Sequence, residues 1–183
     1  MALEKQKAYT DSEFEAFIRL PENSEKRFEF IDGEIIEVPS NPYSSEIAAL
    51  IIYALLAFVR PRGLGHVTGE SGGYIVAEQK LAPDVAFMSA ARQPQLVREG
   101  YNPIAPDLTV EVVSPSDKQP EIRRKLALYA QAGVLVWLVY PEQKRVEVYA
   151  PDQPVEIRYA TDTLSGGDVL PDFTLAVHDI FPE

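Results

Sequence analysis

The chain has 183 residues, enough for a single domain with its own core, and at 46% hydrophobic and 25% charged it is neither disordered, collagen-like nor a coiled-coil rod. It has no cysteine and only two histidines, His66 and His178, so disulfides, thiolate metal sites, a thiol nucleophile and a three-histidine metal site are all excluded, and any metal must be held mainly by oxygen. The net charge of −11 argues against a protein that coats nucleic acid, whose usual footprint is basic.

In chain order, the N-terminus MALEKQKAYT has no apolar core of the kind a secretory signal carries, so a soluble, cytoplasmic protein is expected. Thr10 to Leu20 reads as a helix, with Thr10 and Glu13 spaced for a capping box and Pro21 stopping it. Arg27 to Val38 reads as a β-hairpin, because Asp32-Gly33 suits a primed turn between two β-rich runs. Ser44 to Val59 is a helix apolar nearly all round, expected to sit in the core. Its longest apolar run, Ile47 to Val59, is too short to cross a membrane.

Pro61 to Gly73 is a glycine-rich loop with short strand pieces and no phosphate-binding pattern. Strands are expected over Tyr74–Val76 and Pro83–Met88, and Ala90 to Ile104 is polar and irregular with a short helix. Asp107 to Val113 alternates as a strand, with Leu108, Val110 and Val112 on one face. SPSD then makes a turn with N-cap residues, and Pro120 to Ala132 is a helix stopped by Gly133. Val134 to Tyr140 is apolar throughout, as a central strand covered on both faces is. Arg145–Tyr149, Val155–Tyr159 and Phe173–Val177 complete the strands. This order predicts a single α/β domain over residues 1–183, a mixed central β-sheet flanked by helices.

Glu111 is the informative residue. A carboxylate between Val110 and Val112 must be paired, neutralised or bound to a cation if it is buried, and it is unremarkable if its strand has a wet face. Asp84 opens another apolar strand, where Asp after Pro is also a common turn residue. Lys125 lies nearest the apolar face set by Ile122, Leu126 and Tyr129, placed to bury its stem and aim its ammonium into a cleft or into solvent. Glu29 alternates with Phe28 and Phe30, as a residue on the wet side of a hairpin would.

The blocks FEFIDGEIIEVPS, PDVAF, PDLTVEVVSPSD and KLALYAQAGVLVWLVYP resemble the putative restriction endonuclease domain family of the PD-(D/E)xK nuclease superfamily, over roughly Glu13 to Phe181. The resemblance implies a restriction-endonuclease-like fold and a magnesium or manganese site at Asp84, Glu111 and the carbonyl of Val112. It also implies catalytic roles for Glu29, Asp84, Glu111 and Lys125. Val113 stands where the superfamily usually has lysine, and Lys125 resembles the lysine that this family carries on the following helix. The expected activity is metal-dependent hydrolysis of DNA, by a homodimer if both strands are cut. The alternative is a non-catalytic interaction module that retains the fold. Lys118, Arg123 and Arg124 stand close to Lys125 in sequence, whereas residues 141–183 carry nine acidic and three basic side chains, so DNA is expected to approach the helix.

Overall fold

A computed structural model describes residues 8–38 and 41–182; most of the N-terminal segment and the last two residues of the FEFIDGEIIEVPS block lie outside them. Helix α1 (Asp11–Ile18) starts on a full capping box, in which the Glu13 amide donates to Thr10 Oγ1 (3.2 Å) and the Thr10 amide to Glu13 Oε2 (2.8 Å). Strands β1 (Phe28–Ile31) and β2 (Glu34–Glu37) pair antiparallel. Asp32 and Gly33 take the left-handed conformation (φ 50° and 81°) that a primed turn demands.

Helix α2 (Pro42–Arg62) runs longer than its apolar sequence, capped by Asn41 and ended by Gly63 at φ 62°. By length and composition alone it is long and apolar enough to cross a membrane, yet Ile47, Ile51, Leu55 and Val59 pack into the core while the opposite side is exposed. The expectation of burial all round is therefore corrected to burial of one stripe.

Strands β3 (Gly65–Gly69), β4 (Tyr74–Val76), β5 (Gln79–Leu81) and β6 (Val85–Ser89) follow. Gly65 is required by close approach rather than by a loop, because a Cβ there would lie 2.1 Å from the Met88 carbonyl oxygen on β6. No helix forms between Ala90 and Ile104. The chain then builds β7 (Leu108–Val112), α3 (Gln119–Gln131), β8 (Leu135–Tyr140), β9 (Arg145–Tyr149), β10 (Glu156–Tyr159), β11 (Thr163–Gly166) and β12 (Leu170–Ala176). The SPSD segment is a turn closed by the Ser114 amide on Asp117, but the N-cap of α3 is Lys118, whose side chain makes no capping bond.

The central sheet has the order β10-β9-β8-β7-β6-β3, mixed because β7 and β8 run parallel while the other neighbours are antiparallel. A parallel pair needs a crossover, and α3 supplies it. A smaller sheet, β2-β1-β5-β4, and the hairpin β11-β12 complete the architecture. One face of the large sheet (Val85, Phe87, Leu108, Val110, Trp137 and Val139) packs against α2 and the C-terminal hairpin. The other (Ala86, Met88, Val136) packs with Tyr129 of α3 and Tyr74 and Leu81 of the small sheet. Each fully buried aliphatic side chain contributes about 1.5–3 kcal/mol relative to an exposed one. Alternation along β7 therefore sends the valines to the α2 core and Glu111 to the α3 side.

Candidate active site

Strand β7 pairs with β6 so that Val85 faces Val110, and carrying that register one residue further sets Asp84 opposite Glu111. Both side chains share the face of Ala86 and Thr109 because strand side chains alternate. Asp84 accepts the Val112 amide on one carboxylate oxygen at 2.8 Å, which fixes its direction. The carboxylates of Asp84 and Glu111, with Glu29 and Lys125, line one cavity of about 280 Å³ between the small sheet, β7 and α3, walled also by Arg27, Glu70 and Ser114.

Lys125 is the hub. Its Nζ lies 2.7 Å from Glu111 Oε2 and 2.9 Å from Glu29 Oε1. Glu29 is buried, 3% exposed, and its Oε1 also accepts the Ala82 amide at 3.0 Å. The open expectation of a wet-face Glu29 is thus corrected: docking of β5 and α3 closes that side of the hairpin. Glu111 Oε1 accepts the Tyr129 hydroxyl at 2.6 Å, so both oxygens of Glu111 have a donor. Tyr129 stands one helical turn beyond Lys125 on the same face of α3, which is why one helix holds both oxygens.

Burial pushes the Glu111 carboxyl up to about 7, against the opposing pull of Lys125 and with a further push from Glu29 and Asp84. Asp84 is likewise raised by burial, opposed by the Val112 amide and the charges of Lys125 and Arg27. Burial works against the Lys125 ammonium, but Glu111 and Glu29 overcome it and hold it protonated far above neutral pH.

Sequence reasoning passed over three residues here. Tyr129 reads in the sequence only as part of the apolar face with Ile122 and Leu126. Arg27 shares the parity of Glu29 on its strand, the signal that would have placed it. Its Nη1 is buried, ion-paired with Glu70 at 3.3 Å, and makes no hydrogen bond. Glu70 follows β3 with no sequence signal of its role. Arg124, conversely, is no free DNA contact. It donates to Asp32 Oδ2 (2.6 Å), Glu34 Oε2 (2.7 Å) and the Ile31 carbonyl (2.9 Å), clamping α3 to the hairpin turn. Lys118 and Arg123 remain exposed.

The donor set suits a hard divalent cation in kind. Among the described residues no three His, Cys, Asp or Glu side chains gather into a ready-made metal cluster. Asp84 and Glu111 are among the carboxylates lining the cavity, and the Val112 side chain lies in the opposite core while its main-chain amide meets Asp84. Two protein ligands plus several retained waters is how magnesium is commonly bound.

A mixed sheet crossed by α3, with acids on adjacent strands, defines a nuclease-like α/β fold. The chain matches the crystal structure of a putative nuclease belonging to DUF820 from Anabaena variabilis with a TM-score of 0.77 and 24% identity, over 91% of this chain and 96% of that one. No curated protein matches it. The model of the Uma2 family, described as a putative restriction endonuclease, matches residues 14–178, and the chain belongs to that family.

Proposed function

We propose that the protein is a metal-dependent endonuclease that hydrolyses phosphodiester bonds in DNA at the cavity between β7 and α3. The observation that carries this reading is the meeting of Asp84, Glu111 and Lys125 in one cavity, from three separate elements. Asp84, Glu111 and the Val112 carbonyl would hold magnesium or manganese. When bound, such a cation supplies neutralising charge at the phosphoryl oxygens and a water of lowered pKa.

The chain's own residues take distinct parts. Lys125, locked in its charged form by two carboxylates, acts as a fixed positive charge at the attacked phosphate and orients the water. Glu29 is a positioning residue that holds Lys125 and is itself held by the Ala82 amide. Tyr129 fixes the rotamer of Glu111. Arg27, ion-paired with Glu70 in the cavity wall, adds positive charge on the side from which a phosphate would approach. Cutting both strands by this reading takes two copies of the site.

The test is incubation of supercoiled plasmid with magnesium or manganese, comparing the parent protein with Glu111→Ala and Lys125→Met. Metal-dependent nicking by the parent, lost in both variants, is the expected result. Equal nicking by Glu111→Ala would refute the site. A parent that neither cuts DNA nor gains DNA affinity with metal would favour the interaction-module reading, for which the charge of −11 speaks.

A further inference from the structure

Helix α2 presents a second apolar seam to solvent. Glu46, Ala49, Tyr53, Leu56 and Arg60 follow one another at spacings of three and four, and all five are exposed. On a helical wheel they fall on the side opposite Ile47, Ile51, Leu55 and Val59, which face the core. Tyr53 is 73% exposed, the highest value among the exposed large hydrophobic side chains, and Leu56 is 37% exposed. Nothing in the central sheet or the hairpin packs on this seam. Among the described residues neither Glu46 nor Arg60 has an ion-pair partner.

We infer that this seam binds a second copy of the same chain, the two α2 helices lying antiparallel about a two-fold axis at Tyr53. The charge pattern selects that occupant. Glu46 and Arg60 each lie seven residues from Tyr53, about 10 Å along the helix in opposite directions. An antiparallel pairing about Tyr53 therefore brings Glu46 of each copy to Arg60 of the other, twice over. It also sets the large Leu56 against the small Ala49, while the two Tyr53 rings meet on the axis. A parallel pairing would instead oppose Glu46 to Glu46 and Arg60 to Arg60. This is the self-complementarity that an isologous interface requires. An anionic lipid surface is the poorer occupant for a chain of net charge −11. A contact of one helix per copy buries on the order of 1,000 Å², at the small end of specific interfaces, so the dimer is a weak one that forms at micromolar concentration. The seam shares no residue with the cavity lining, and the inference stands whether or not the chain is a nuclease.

The experiment is sedimentation velocity on the full chain over roughly 1–200 µM. The parent is expected to dimerise, Glu46→Arg and Arg60→Glu each to weaken the dimer about tenfold or more, and the double reversal to restore it. Tyr53→Glu should leave only monomer, with the far-ultraviolet circular dichroism and melting temperature of the monomer kept because the side chain is exposed. A parent that stays monomeric throughout, a dimer indifferent to the single reversals, or a double reversal that fails to restore it would each overturn the inference. Binding of the monomer to anionic vesicles in place of dimerisation would overturn it in favour of lipid.

Discussion

Replacing Glu111 by Gln tests whether burial governs this site. In the unfolded chain the carboxyl has its ordinary value of 4.5, and in the folded protein burial lifts it to about 7. The folded state therefore binds the extra proton between those values, and stability falls as pH rises through that window. Below pH 4.5 the group is neutral in both states and the effect vanishes; above about 7 the loss is complete. At about 1.4 kcal/mol per pH unit, the full loss is about 3 kcal/mol. Gln keeps the shape of the neutral acid and does not titrate. The stability of the parent minus that of Glu111→Gln should therefore fall by about 3 kcal/mol between pH 4.5 and 7.5 without metal. For a chain of this length that is roughly a 10 °C change in the melting-temperature difference. Taking the difference cancels the acidic groups remote from Glu111, leaving its own titration and its coupling to Glu29 and Asp84. Calorimetric melts of both proteins at half-unit pH steps, with chelator, provide the assay. A difference that is flat across the window, or that rises with pH, would falsify the burial argument.

Magnesium or manganese at millimolar concentration should raise the melting temperature of the parent at pH 7.5 by mass action, and Asp84→Asn should remove most of that gain; a thermal-shift titration decides it. Tyr129→Phe deletes one of the two donors to Glu111, so the buried carboxyl should titrate still higher, read by carbon-13 NMR of labelled glutamate, with a stability loss of about 1–3 kcal/mol at neutral pH. Arg124→Ala should destabilise the protein by about 2 kcal/mol in chemical denaturation, because it releases α3 from the hairpin turn; an unchanged midpoint would show that the clamp carries no net energy.

The large sheet was legible where the sequence carried period and punctuation together. β7, α3 and β8 follow from alternation, a helical face, Gly133 and an apolar run. The small sheet was half read, because β4 turns into β5 through Ala77 and Glu78, which hold positive φ (47° and 66°) without the Gly or Asn that announces such a turn. β11 was missed for want of alternation strong enough to mark it. α2 reads as core nearly all round because its exposed side also carries Ala49, Tyr53 and Leu56 between Glu46 and Arg60, which leaves no long polar stripe to mark it. Within the site, the sequence placed Glu111 and Lys125 on the correct faces, but the burial of Glu29 depends on β5 and α3 closing over the hairpin. Arg124 was misjudged for the same reason, since its partners Asp32 and Glu34 lie 92 and 90 residues away.

The cavity is assembled from pieces of very different sequence separation. Glu111, Lys125 and Tyr129 lie within 18 residues of one another in a strand–helix unit, whereas Asp84 and Glu29 arrive from 27 residues and more upstream. The Lys125–Glu111 contact needs only that strand–helix unit, so the counter-charge of the buried acid does not depend on the rest of the cavity. The small sheet contributes Glu29 as a second acid to a lysine that already has one. Loosening that sheet, by ligand or by thermal fluctuation, would leave the Lys125–Glu111 ion pair in place while opening the wall that Glu29 and Arg27 provide. The fold thus separates what keeps its charges balanced from what gives access to them.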